Sequence, residues 1–211
     1  MNLQYLTDNW RRVLDLTVDH LVLTGLALGL ALLVAIPVGV LAARVRRLTL
    51  PILALLGALY TVPSLALLAF LIPSLGLGEK PAVVALAVYA QISLVRNIVA
   101  GIQGVDRSVI EAASGLGMTR WQVIRRVEFP LALPVFIAGL RIALVTVIGL
   151  ATITAWINAG GLGTLLFDGI SRNYPSQILA GALAIVALAL VADALMRILE
   201  RLTAAHYGVS R

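Results

Sequence analysis

The sequence predicts an all-α integral membrane protein with five transmembrane helices, and three observations carry that prediction. First, 61% of the 211 residues are hydrophobic and only 12% are charged, with a mean hydropathy of +1.02. A soluble domain is about 45–50% apolar and about 25% charged. Half the usual charge does not cover a water-exposed surface, and disorder requires the opposite composition. Second, the apolar residues gather into five runs, each close to the roughly 20 residues that cross a bilayer. Third, the basic residues between those runs fall mostly on alternate connections, as the positive-inside rule requires of a multi-pass protein. Five spans use about half the chain, so residues 1–211 read as one transmembrane domain. No cysteine is present, which excludes disulfide frameworks, thiolate metal sites and cysteine nucleophiles.

The first 19 residues hold Asp8, Arg11, Arg12, Asp15 and Asp19 and no long apolar run, so they do not read as a signal peptide. Asn2 to Leu16 is expected to form a short amphipathic surface helix, with Leu3, Leu6, Trp10, Val13 and Leu14 at helical spacing. The spans are expected at 20–43, 50–72, 82–102, 131–156 and 178–199. Pro37 and Pro63 interrupt the first two, and a kink is expected at Pro63 because proline removes a backbone bond and clashes with the preceding turn. Gly25, Gly29, Gly57 and Ala58 read as sites of close helix packing.

Arg44, Arg46 and Arg47 follow span one, Arg107, Arg120, Arg125 and Arg126 follow span three, and Arg197, Arg201 and Arg211 follow span five. The opposite side holds Arg11 and Arg12 among aspartates, Lys80 beside Glu79, and Arg172. The first group is therefore expected in the cytoplasm, with the N-terminus outside and the C-terminus inside a cell (inner or plasma) membrane. The net charge of +6 reads as a topology signal and not as a nucleic-acid footprint.

The longest polar stretch, 103–130, is the informative one. Ser108-x-x-Glu111 and Thr119-x-x-Gln122 have capping-box spacing, and Gly117 offers a helix stop between them. Two short helices joined by a turn at 115–119 are expected, with Pro130 and Pro134 bounding the next element. A DNA-binding helix-turn-helix is rejected, because the segment is short and bracketed by spans. Two readings stay open on the residues alone: a hairpin resting on anionic lipid, or a docking element whose small or apolar face (Val109, Ala112, Ala113, Leu116) lies in a partner's groove.

Intramembrane polar residues are functional candidates. Tyr89, Ser93, Arg96 and Asn97 share one helical face of span three, and Thr146, Thr154 and Asn158 share one face of span four. These faces line a polar path or bond neighbouring helices. Tyr60, Thr61, Pro63 and Ser64 are expected to form a bend on the translocation path. Arg96 is expected to snorkel, and Arg141 is expected near an interface rather than deep and paired with Asp193. His20, at a span boundary, reads as interfacial. No catalytic constellation, metal cluster or phosphate loop is present in the sequence.

The loop resembles the EAA loop of ABC-importer permeases. Glu111-Ala112-Ala113, three residues, Gly117, nine residues, Val127, one residue and Phe129-Pro130 follow the family pattern, with Val and Phe in place of Ile and Leu. Tyr60-Thr-Val-Pro-Ser64, Arg96-Asn97, Gly139-Leu-Arg141 and Ala159-Gly-Gly-Leu-Gly163 resemble the osmoprotectant branch, the glycine betaine/carnitine/choline permeases. One departure is Asn158, where a glycine is expected. The resemblance implies a type I ABC importer permease fold, like that of methionine and maltose importers. It implies that Ser108, Glu111, Ala112, Ala113, Gly117 and Thr119 couple to the ATPase. The implied partners are a second permease subunit (a homodimer or a paralogous heterodimer), two cytosolic ABC ATPases, an extracytoplasmic binding protein and the lipid bilayer. It implies no cofactor on this chain, with ATP and Mg on the partner ATPase. Two rival readings are an importer for another small polar solute such as an amino acid, and an ATP-independent secondary transporter, which would show ion-coupling acids within its spans.

Overall fold

The computed structural model describes residues 4–206, and within them the chain is helical with no strand. Asn2, Leu3 and Arg211 lie outside the described residues. A short α1 (Gln4–Asp8) is separated from α2 (Trp10–Arg44) by Asn9 alone. The expected surface helix over 2–16 is corrected here, because Trp10 to Leu16 are the first turns of α2. Tyr5, Leu6, Val13 and Leu16 pack against Leu162, Leu165 and Ala180. The periodicity suits a lipid surface or a protein surface equally, and the later helices supply the protein surface.

α2 continues through Pro37 and turns at Val45 into α3 (Arg46–Tyr60). The expected second span is instead two helices, α3 and α4 (Ser64–Leu75), bent by 91° at Thr61–Pro63. Proline forces the residue before it toward extended backbone, and Pro63 itself is extended, with ψ 133°. The result is a break, sharper than the expected kink. α5 (Glu79–Gln103), with Pro81 in its first turn, is the most deeply buried helix.

Directions follow from side-chain contacts. Gln91 donates to the Ala31 carbonyl (3.1 Å) and Gln103 to the Ala43 carbonyl (3.1 Å), so α5 runs parallel to α2. The bent pair α3–α4 must therefore return the chain from one end of α2 to the other. Beyond α5 come α6 (Arg107–Gly115) and α7 (Arg120–Val123), then a π-helical turn (Ile124–Glu128), α8 (Phe129–Thr154) and a 3₁₀ turn (Ala155–Ile157). From Arg120 to Ile157 these form one rod. Pro130 sits in the first turn of α8, as expected of a proline that bounds an element, whereas Pro134 lies inside the helix. The wide π turn just ahead of Pro130 opens the space its ring takes from the preceding carbonyl. α9 (Gly163–Ser171) and α10 (Pro175–His206) complete the described residues.

Among the described residues, four helices are long and apolar enough to cross a membrane, or five if the bent pair is one crossing. Their core is built on small residues. Ala27, Ala31 and Ala35 are fully buried at four-residue spacing on α2. A Cβ added at Gly39 would lie 2.7 Å from Ile98, at Gly101 2.9 Å from the Ala132 carbonyl, and at Gly139 2.3 Å from Asn97. Without a hydrophobic force between helices in lipid, such close approach carries the packing. The glycines expected to do this, Gly25, Gly29 and Gly57, would each meet nothing within 4 Å, and Ala58 is exposed. Gly25 and Gly29 lie on the opposite face of α2 from the packed stripe.

Candidate functional site

One end of the molecule gathers the end of α2, the end of α5, α6, α7 and the start of α8. Its polar hairpin is built by local bonds. Asp106, not Ser108, caps α6: its carboxylate accepts from the Ser108 backbone N–H (2.9 Å). That bond, joined by one from the Ser108 side chain, holds the Asp106 carboxyl below the usual carboxylate range. With Asp106 as the cap, Ser108 becomes the second helical residue and Glu111 the fifth, out of register for a capping box. The Thr119–Gln122 box does form, with the Thr119 N–H donating to Oε1 (2.8 Å) and the Gln122 N–H to Oγ1 (3.4 Å). Between them Gly117 has φ +82°. The Met118 N–H bonds the Ala113 carbonyl (3.2 Å) and the Gly117 N–H bonds Ser114 (3.0 Å), a Schellman closure that needs a left-handed residue.

The outward side of this hairpin is bare. Glu111 and Ala112 are exposed, as are Val109, Leu116 (84%) and Trp121 (68%). Ala113 is the exception among the expected docking residues. It is 7% exposed and turned into the chain, so its methyl supports the hairpin from within. An alanine on a nine-residue helix does not reveal by sequence which side of the stripe it takes.

At the hairpin's root lies a contact that sequence reasoning missed. Glu128, in the π turn, is 7% exposed, and both its oxygens are held by both terminal nitrogens of Arg44, one at 3.1 Å. The available signal was that Glu128 is the sole acid between Glu111 and Asp168, at a span boundary, where a carboxylate needs a cation.

The bend brings together several expected path residues. The Tyr89 hydroxyl donates to the Val62 carbonyl, freed by the helix break, and the Tyr60 and Tyr89 rings meet edge to face at 5.8 Å. Tyr60 is 46% exposed; Thr61 and Pro63 are exposed and Ser64 is half-buried. Ser93 is half-buried and its carbonyl accepts from Asn97 (2.8 Å), which packs on Gly139. The α8 face is not as expected. Thr146 is half-buried, Thr154 is buried and bonds the Ala151 carbonyl (2.8 Å), and Asn158 has left the helix. Asn158 sits at φ 64° in a left-handed turn, which explains why the residue here is glycine or its best substitute.

Two further contacts bear on expected positions. His20, expected at a span boundary, is fully covered by the chain itself. The Leu162 N–H donates to Nδ1 (3.2 Å), so Nε2 carries the proton and donates to the Ile148 carbonyl (3.0 Å). This ring ties the turn at Gly160–Leu162 to α2 and α8. Arg141 is paired with Asp193 (3.2 Å) and lies 3.2 Å from Glu200, while Arg197 also holds Asp193 (2.5 Å). Asp193 and Glu200 are seven residues apart, so both face α8.

A family model described as the binding-protein-dependent transport system inner membrane component matches residues 35–204. The chain is 39% identical to the glycine betaine/carnitine/choline transport system permease protein OpuCB of Bacillus subtilis (strain 168), over 93% of this chain and 91% of that one. It is 42% identical to the carnitine transport permease protein OpuCB of Listeria monocytogenes, over 94% and 92%. It is also 42% identical to the osmoprotectant import permease protein OsmW of Salmonella typhimurium (strain LT2), over 94% of each. Among solved structures, an inward-facing MetNI methionine ABC transporter matches with a TM-score of 0.79 and 23% identity, covering 90% of this chain and 95% of that one. An amino acid ABC transporter matches with a TM-score of 0.77 and 21% identity, covering 95% and 98%.

Proposed function

Because the chain belongs to the family of binding-protein-dependent transport system inner membrane components, we propose that it is the permease of an ABC importer for a small quaternary-ammonium osmoprotectant. The supporting observation is the hairpin: preformed by Asp106, the Gly117 turn and the Thr119–Gln122 box, bare outside, and continuous with a membrane-length rod. A cytosolic ATPase seated on Glu111, Ala112, Leu116 and Trp121 moves that rod directly. Arg44, Arg46, Arg47, Arg107, Arg120, Arg125 and Arg126 cluster at the hairpin end, which orients it toward the cytoplasm. The N-terminus then lies outside, and His20 and the Gly160–Leu162 turn lie near the outer face, where an exported binding protein delivers solute.

Two permease subunits enclose the path, and two ATPases grip the two hairpins. ATP-driven closure draws the hairpins together, and the rods rock the subunits between outward and inward openings. Tyr60, Thr61, Pro63, Ser64 and Tyr89 form the part of each subunit that faces the solute. The substrate class rests on the relatives named above. It is tested in a host stripped of other osmoprotectant uptake and supplied with this chain, its ATPase and its binding protein. Growth at high salt is restored by external glycine betaine, carnitine or choline. Failure of all three overturns the substrate class.

A further inference from the structure

We propose that the Arg44–Glu128 pair is the transmission link of the importer, making the hairpin move α2 and α8 together and setting how much solute crosses per ATP; this rests on the permease reading above. Three observations converge on it. The pair joins the last residue of α2 to the turn between the hairpin and α8. It is a two-pronged contact in which both carboxylate oxygens meet both terminal guanidinium nitrogens, the strong and directional form of this bond. Its carboxylate is buried, so loss of the arginine strands an uncompensated charge.

The π turn adds the reason why such a tie is needed. A π turn holds one residue more than an α turn, and each residue rotates an α-helix by about 100°. If this turn relaxed to α geometry, Trp121 and the docking face would swing by about that angle relative to α8. Glu128, fastened to a different helix, holds the wide register. The hairpin therefore keeps one orientation on α8 and pulls on α2 by the same bond. α2 in turn carries α5, through Gln91, Gln103 and the Gly39–Ile98 approach. Arg44 and Glu128 are thus positioning residues, which touch neither solute nor nucleotide.

The test uses proteoliposomes holding this chain with its ATPase and solute-loaded binding protein, with ATP hydrolysis and solute accumulation measured in the same vesicles. Arg44→Glu and Glu128→Arg keep the ATPase bound and hydrolysing, while solute moved per ATP falls on the order of tenfold. The double exchange, Arg44→Glu with Glu128→Arg, recovers part of that loss, as two independent defects would not. If the single reversals do not assemble, Arg44→Lys and Glu128→Gln carry the same criterion, since neither keeps the two-pronged contact. A wild-type ratio of solute to ATP in assembled variants, or an exchange no better than the worse single, overturns the proposal. Absence of ATP-driven uptake by the wild-type chain in these vesicles sinks the permease reading instead.

Discussion

At the scale of single residues, the hairpin depends on positions where only one side chain satisfies the backbone. Gly117 is the sharpest case, because its φ of +82° costs an ordinary L-residue about 1–2 kcal/mol. Gly117→Ala is expected to loosen the hairpin by about that amount, seen as faster amide exchange at Met118 and Gly117, whose N–H groups close the turn. Unchanged exchange would show that the Schellman closure does not hold the hairpin. Gly117 was legible in the sequence because a glycine between two capping signals has few other meanings. Asn158 was legible only as a departure, and its left-handed turn supplies the reason. Ser108 and Ala113 were misread for the opposite reason: a second capping residue two positions upstream, Asp106, and one helical face among several are choices that local spacing leaves open. The Arg44–Glu128 and His20–Leu162 contacts bridge 84 and 142 residues, and no local pattern announces a partner that far away; Asp193 could be weighed as a partner of Arg141 because it is the single acid in the last span.

At the scale of elements, composition located the apolar segments while geometry decided their form. The second segment shows how far a proline argument reaches. Pro63 predicts an interruption, but the 91° break goes with the extended Pro63 backbone and with the Tyr89 hydroxyl, which donates to the freed Val62 carbonyl. The packing stripe shows a second limit. Glycine alone did not mark it, since α2 packs through Ala27, Ala31, Ala35 and Gly39 while Gly25 and Gly29 face outward. This difference is measurable. Gly139→Ala drives a methyl to 2.3 Å from Asn97 and is expected to lower stability by about 1–3 kcal/mol. Gly29→Ala, with open space around it, is expected to be neutral or to stabilise by up to about 1 kcal/mol through helix propensity. Thermal unfolding of the two variants in detergent checks the pair, and equal melting temperatures would contradict the stripe.

At the scale of the whole molecule, parallel α2 and α5 require the bent pair between them to return the chain, and with that pair taken as one crossing the described residues hold five. An odd count sends the arginine-rich connections to one side. The chain has no cysteine, so single cysteines report this arrangement against a clean background. Lys80→Cys is expected to react with an impermeant thiol reagent in intact cells, and Ser108→Cys only after the membrane is opened. The reverse pattern would invert the orientation. The family and the site then join into one claim: a membrane rod moved by an ATPase gripping a bare hairpin. Its most direct test is solute uptake into proteoliposomes carrying this chain, its ATPase and its binding protein, with wild type compared against Glu111→Lys. Accumulation is expected to need ATP and the loaded binding protein, and to be abolished by Glu111→Lys although the variant chain inserts normally. Undiminished uptake by Glu111→Lys, or accumulation driven by an ion gradient without ATP, would contradict the claim.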